Sequence, residues 1–186
     1  MLTHSAARPA LARPWLICLD LQRDYVVPGR PRYSAANTDV AAACARVLDL
    51  ARDEGWRVVH SQFRQETVTP WPGELFGAPI EGLRPLISEP VYFRRGLSAF
   101  ACQGFAAELR AARRSDVYLI GFSLADTCLA TVLAGVDEGL SLTLVEDAVG
   151  ASDELAAADI ARAILKPFVQ LATSRRLMAS RLEVIH

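Results

Sequence analysis

Three short stretches of this chain are apolar along their whole length, and they constrain its fold more than any other feature. Residues Trp15–Leu19 (WLICL), 117–120 (VYLI) and 142–145 (LTLV) have the length and β-branched content of strands, and they run out to Asp20, Gly121 and Asp147. A strand with one solvated face alternates polar and apolar residues, whereas one covered on both faces does not. The three runs therefore predict a parallel sheet sandwiched between helices.

The intervening segments carry helical spacing, with apolar residues at Val40, Cys44, Val47, Leu48 and Ala51, at Phe100, Phe105, Leu109 and Ala112, and at Leu129, Val132, Leu133 and Val136. Residues 56–62, 90–93 and 168–173 supply three further strands. Gly55 and Gly139 end two helices just before the next strand, and Ser152 with two following acids caps a helix over 154–165. Strand and helix alternate six times, which predicts a three-layer αβα fold around a six-stranded, parallel, doubly wound sheet. The 186 residues suit one such domain over 14–186, after a frayed leader at 1–13. Residues 63–89 hold four prolines and three glycines. That connection is longer than usual, which suggests a lid or subunit-contact loop anchored by Trp71, Phe76 and Ile80.

Charge narrows the function. With 20 basic against 21 acidic side chains and a net charge of -1, the chain has no surplus to neutralise phosphates, so nucleic acid is not an expected partner. No apolar run approaches the roughly 20 residues that span a bilayer, so no membrane association is expected. Cys18, Cys44, Cys102 and Cys128 are widely spaced and fall in apolar segments, which points to reduced thiols and a cytoplasmic location. The only lysine is Lys166; every other basic residue is arginine.

In open α/β sheets, ligands bind beyond the C-terminal ends of the strands. Those ends hold Asp20, His60, Arg94, Gly121 and Asp147. Asp20 opens the segment Asp-Leu-Gln-Arg-Asp-Tyr, beside Gln22, Asp24 and Tyr25. Burial and a neighbouring acid would both raise its pKa, which suits a general acid or base; the other role open to it is to cap backbone amides. Residues 117–139, VYLIGFSLADTCLATVLAGVDEG, run from a strand through a tight turn into a helix, a geometry that can hold a nucleophile beside an oxyanion hole.

These segments, with FRRGLSAF and LTLVEDAVGAS, resemble in order the isochorismatase-like cysteine hydrolase superfamily of nicotinamidases, N-carbamoylsarcosine amidases and isochorismatases. The resemblance implies a small-molecule substrate, an amide, ureide or enol ether, hydrolysed by an Asp, Lys and Cys trio. Asp20 matches the Asp. The Lys position, four residues before Ser98-Ala99-Phe100, is Arg94, with Arg95 as the near alternative. Family members have a glycine at the strand end, the Cys six residues later and a second glycine twelve beyond. Gly121 and Gly139 fix that register and place Thr127, not Cys128, at the nucleophile. Thr127 needs a base, for which Asp20 is the candidate. Cys128 would serve only if the turn were shifted by one residue, since helical neighbours point about 100° apart.

The resemblance also implies a cis peptide at Phe122-Ser123, with the Ser123 and Thr127 N–H groups facing a developing oxyanion. Some members bind a metal through Asp-x-His; here that region reads His60-Ser61-Gln62-Phe63, so no metal or other cofactor is expected. His60, Gln22, Tyr25, Phe63 and Trp71 are candidate substrate contacts, and Asp126 and Asp147 are expected to cap or bridge. Family likeness and the long apolar loop suggest a homo-oligomer. With two of three trio positions altered, the opposing reading is a non-catalytic subunit that binds a ligand or supports assembly.

Overall fold

All six strands form, and they build one parallel sheet. β1 (Trp15–Leu19), β2 (Arg57–Phe63), β3 (Val91–Arg94), β4 (Asp116–Gly121), β5 (Ser141–Val149) and β6 (Gln170–Ala172) lie in the order β3-β2-β1-β4-β5-β6. The structure is a computed structural model that describes residues 12–64, 77–150 and 155–184. Five helices accompany the sheet: α1 (Asn37–Asp53), α2 (Gln103–Leu109), α3 (Leu129–Asp137), α4 (Leu155–Leu165) and α5 (Ser174–Val184).

The uniformly apolar strands have their explanation in two separate cores. Ile17 and Leu19 of β1 join Phe105 and Leu109 of α2, Val132 of α3 and Ala161 of α4 on one face. Leu16 and Cys18 join Cys44, Val47 and Leu48 of α1 on the other, where Leu177 of α5 also packs. Every side chain of β1 is therefore buried. The strand order reverses between β1 and β4, and such a switch point opens a crevice above the strand ends. Asp20 follows β1 and the turn beginning at Gly121 follows β4, so the topology brings them together.

Several boundaries differ from expectation. β3 extends one residue to include Arg94, and β5 runs four residues past Val145, with a register irregularity against β4 between Leu119 and Gly121. The segment expected as one helix over 100–112 is α2 flanked by tighter 3-10 turns at Ala99–Ala101 and Arg110–Arg114. α5 was not anticipated, because SRRLMASRLEV carries too few apolar positions to show a helical stripe. The proposed cap at Ser152 and the loop anchors Trp71 and Phe76 lie outside the described residues, as does most of the leader. Among the described residues no helix is long and apolar enough to cross a membrane.

Candidate active site

The site begins with two backbone peculiarities. Asp20 leaves β1 at φ 47, the left-handed region that Asp tolerates better than most residues because its short side chain can bond locally. Its own N–H is held by the Ser61 carbonyl at 2.9 Å. Gly121 ends β4 at φ 126, and a Cβ there would stand 1.9 Å from the Leu19 carbonyl oxygen, so only glycine lets the two strand ends approach this closely. The following Phe122-Ser123 peptide is cis.

The chain then enters a single π turn, Leu124–Cys128, in which the Cys128 N–H donates five residues back to the Ser123 carbonyl at 2.9 Å. Such wide turns inside or at the start of α-helices recur at functional sites. Here the turn directs Thr127 at the end of β1. Thr127 Oγ1 accepts from Arg94 Nη2 at 2.9 Å and donates to Asp20 Oδ2 at 3.2 Å. Cys128, its neighbour, is fully buried in the core that also holds Leu124 and Val132.

Asp20 and Arg94 form a fork-to-fork pair. Nη1 reaches Oδ1 at 2.9 Å and Nη2 reaches Oδ2 at 2.7 Å, with both side chains fully buried. The Phe63 N–H donates to Asp20 Oδ1 at 2.6 Å, and Arg94 Nε donates to the Leu97 carbonyl at 3.2 Å. Beyond Leu97, the Ser98 hydroxyl caps the Phe100 N–H at 3.1 Å, which ties the Ser-Ala-Phe motif down beside Arg94. Burial pushes the Asp20 carboxyl up to about 6, against the opposing pull of the Arg94 guanidinium and the Phe63 and Thr127 donors. A carboxylate raised this far is a stronger base than an exposed one and is still ionised at neutral pH.

Cys128 has the opposite character. Burial, followed by the charges of Asp20 and Asp126, raises its thiol well above the ordinary range and keeps it protonated. Iodoacetamide is therefore expected to leave Cys128 unmodified in the native protein, read by peptide mass spectrometry. Cys128→Ala is expected to retain turnover while losing about 1–2 kcal/mol of stability through the cavity it leaves.

The other candidates divide. Tyr25 is buried, stacks on Phe122 with ring centroids 4.9 Å apart, and accepts from Arg32 Nη1 at 2.5 Å. The Phe63 ring is faced by Arg94 at 5.8 Å and by Arg32 at 5.2 Å. Gln22 spends its amide on the Phe63 and Gly77 carbonyls, at 3.2 and 3.0 Å, and so holds the start of the long connection and its Gly77 through one side chain.

His60 turns away from the cluster. Its Nε2 lies 3.0 Å from Glu89, whose carboxylate also takes Arg52 Nε at 2.8 Å. Burial alone would raise Glu89, but Arg52, the Leu86 N–H and His60 together hold it down at about 2. This network ties α1 to the segment before β3 and sits apart from Thr127. Asp147 caps α5 through the Ser174 N–H and hydroxyl, at 2.7 and 2.5 Å. Asp126 takes the Thr127 N–H on its Oδ1, so one of the amides expected to face an oxyanion is occupied by a neighbouring carboxylate. Trp71 lies outside the described residues, and among those described no group of three or more His, Cys, Asp or Glu is arranged to hold a metal. Arg32 went unnoticed in the sequence; its signal was an arginine in the Pro-Gly-Arg-Pro-Arg turn just after Tyr25.

A doubly wound α/β domain with an acid, a guanidinium and a hydroxyl gathered at its switch point is thus the class of protein that fold and site define. The chain belongs to the isochorismatase domain family of hydrolases, matching it over residues 14–176. It is 27% identical over 154 residues to the maleamate amidohydrolase of Pseudomonas putida strain KT2440, an alignment covering 74% of this chain and 72% of that protein. An isochorismatase crystal structure from Pseudomonas putida KT2440 superposes with a TM-score of 0.73 at 27% identity, covering 91% of this chain and 92% of that one. An isochorismatase-like hydrolase from Alkaliphilus metalliredigens superposes with a TM-score of 0.80 at 17% identity, covering 92% and 99%, and shares the fold.

Proposed function

We propose that this chain hydrolyses a small-molecule amide, with Thr127 as nucleophile, Asp20 as its base and Arg94 as a fixed cation beside both. The observation that carries the reading is the Thr127 hydroxyl, 3.2 Å from Asp20 Oδ2 and 2.9 Å from Arg94 Nη2. The similarity to a maleamate amidohydrolase supports the amide class.

In this mechanism Asp20 takes the Thr127 proton as Oγ1 bonds to the carbonyl carbon. The C–N bond then breaks, and the departing amine receives that proton. Water, deprotonated by Asp20, cleaves the resulting ester, and the proton returns to Thr127. The transient oxyanion is assigned to the Ser123 and Thr127 N–H groups, the latter once Asp126 releases it. Arginine keeps its charge throughout, so Arg94 contributes a permanent positive field and moves no proton.

A second reading is a non-catalytic ligand-binding member. Two features favour it: both Asp20 oxygens are clamped by Arg94, and the Thr127 N–H is already occupied. Turnover of a panel of small amides, ureides and isochorismate by the wild-type protein separates the two readings.

The pH profile gives a further test. Asp20 must be ionised to accept the Thr127 proton, so kcat/KM is expected to rise as pH increases through about 6 and to level off above it. An activity limb that instead falls over that pH range would make Asp20 a proton donor, as enol-ether cleavage requires.

A further inference from the structure

Gly150, just past the end of β5, closes the far side of the turn that carries Thr127. It donates its N–H to the Gly121 carbonyl at 2.9 Å and accepts the Leu124 N–H at 2.7 Å, so one residue brackets the segment from the end of β4 to the start of the π turn. No side chain fits there. A Cβ would overlap the Phe122 ring and stand 2.5 Å from Asn37 Oδ1, so the Phe122 ring, which stacks on Tyr25, also lies against Gly150.

Asn37, the first residue of α1, is buried and ties the loop after β1 to the same spot. Its Nδ2 donates to the Tyr25 carbonyl at 3.0 Å, while its Oδ1, also buried, has no hydrogen-bond partner among the described residues. An orphaned buried acceptor lowers stability, so this oxygen is not explained by holding the fold together. What it does is fill the space beside Gly150 that a side chain at 150 would take. We infer that Asn37 and Gly150 are positioning residues, a wedge that sets where the Gly121–Leu124 segment ends and hence how the Thr127 hydroxyl meets Asp20. This rests on the reading of Thr127 as nucleophile above. Neither residue touches a reacting atom. The margin they control is narrow, because the Thr127 contact to Asp20 Oδ2, at 3.2 Å, is already longer than the usual O–H···O bond, and a misplacement of about 1 Å can cost about a hundredfold in rate.

The test compares Gly150→Ala and Asn37→Ala with wild type and Thr127→Ala in two measurements. The first is turnover of small amides beside urea denaturation. Gly150→Ala is expected to lower kcat by about a hundredfold and Asn37→Ala by about tenfold, each with KM within about threefold of wild type. The urea midpoint of Asn37→Ala should stay near wild type, because the orphaned oxygen leaves together with the lost bond. An unchanged kcat with a lowered midpoint would make the two residues merely structural and overturns the proposal.

The second measurement needs no turnover. The Thr127 hydroxyl helps to hold the Asp20 carboxyl down, so in a nuclear magnetic resonance titration, with the Asp20 signal assigned by its loss in Asp20→Asn, the Asp20 pKa should rise in Thr127→Ala. It should rise to a similar extent in Gly150→Ala and in the same direction in Asn37→Ala. An Asp20 titration that moves in Thr127→Ala and in neither of the others overturns the proposal, whatever the turnover. Should wild type hydrolyse no amide, the amide-hydrolase reading fails, and the wedge is judged by this titration alone. Far-ultraviolet circular dichroism checks that each variant is folded, and if Gly150→Ala is not, Asn37→Ala decides by the same two criteria.

Discussion

Thr127→Ala is expected to lower kcat on a responsive amide by about a thousandfold, while Thr127→Ser keeps it within about tenfold of wild type. The difference isolates the hydroxyl. Serine preserves an oxygen within reach of Asp20 Oδ2 and Arg94 Nη2, and alanine removes it from a site where nothing else offers a nucleophile. The same pair of variants separates chemistry from folding. Asp20 and Arg94 retain their two-bond contact in Thr127→Ala, so the stability cost is only that of lost neutral hydrogen bonds, about 1–2 kcal/mol. Steady-state kinetics beside urea denaturation read both. A Thr127→Ala protein that keeps full activity would move the nucleophile to water and leave Asp20 as the only proton carrier.

Asp20→Asn should be damaging in two ways at once. In the proposed mechanism it loses the base, and turnover is expected to fall by about a thousandfold. As a protein it loses more than Thr127→Ala does, because the Arg94 guanidinium is left fully buried without its counter-charge. Orphaning one member of a buried ion pair costs about 3–5 kcal/mol. A shift in the urea midpoint several times that of Thr127→Ala is the expected result. The pair itself is not thereby shown to be a large net stabiliser, since its two members also pay for leaving water. Comparable midpoints for the two variants would mean that Arg94 finds another partner or water when Asp20 is neutralised.

Much of the fold was legible in the chain because burial on both faces of a parallel sheet leaves little room for polar residues in β1, β4 and β5. α5 was not, since its packing on α1 relies on few apolar positions. The register of the proposed nucleophile could be counted between Gly121 and Gly139, and the Thr127 hydroxyl bonds to Asp20 and Arg94. What could not be counted was the π turn that aims it, because i to i+5 bonding leaves no residue signature of its own. The partnership of Asp20 with Arg94 joins residues 74 positions apart and exists only once β1 and β3 sit in one sheet. His60 and Gln22 mark the limit of reasoning from strand ends. Position along a strand gives height in the sheet, but Glu89 and the Gly77 carbonyl, which claim these side chains, lie on a connection whose return path has no local pattern. Arg32 was hidden in the same way, in a proline-rich turn where a basic residue looks like ordinary surface.

The replacement of the expected amine by Arg94 and of the expected thiol by Thr127 belongs to one arrangement. In the proposed mechanism an arginine holds the base in place with two bonds and lends the hydroxyl a permanent positive neighbour, which a weakly acidic nucleophile needs more than a thiol does. Whether that arrangement turns over substrate is most directly measured as ammonia released by the wild-type protein from the small amides of the panel, followed together with formation of the matching acid. The account predicts release of the two products in equal amounts over many turnovers, rising with pH through about 6. Binding of a panel amide with no ammonia released above the uncatalysed rate would contradict it and leave the protein a ligand-binding member of its family.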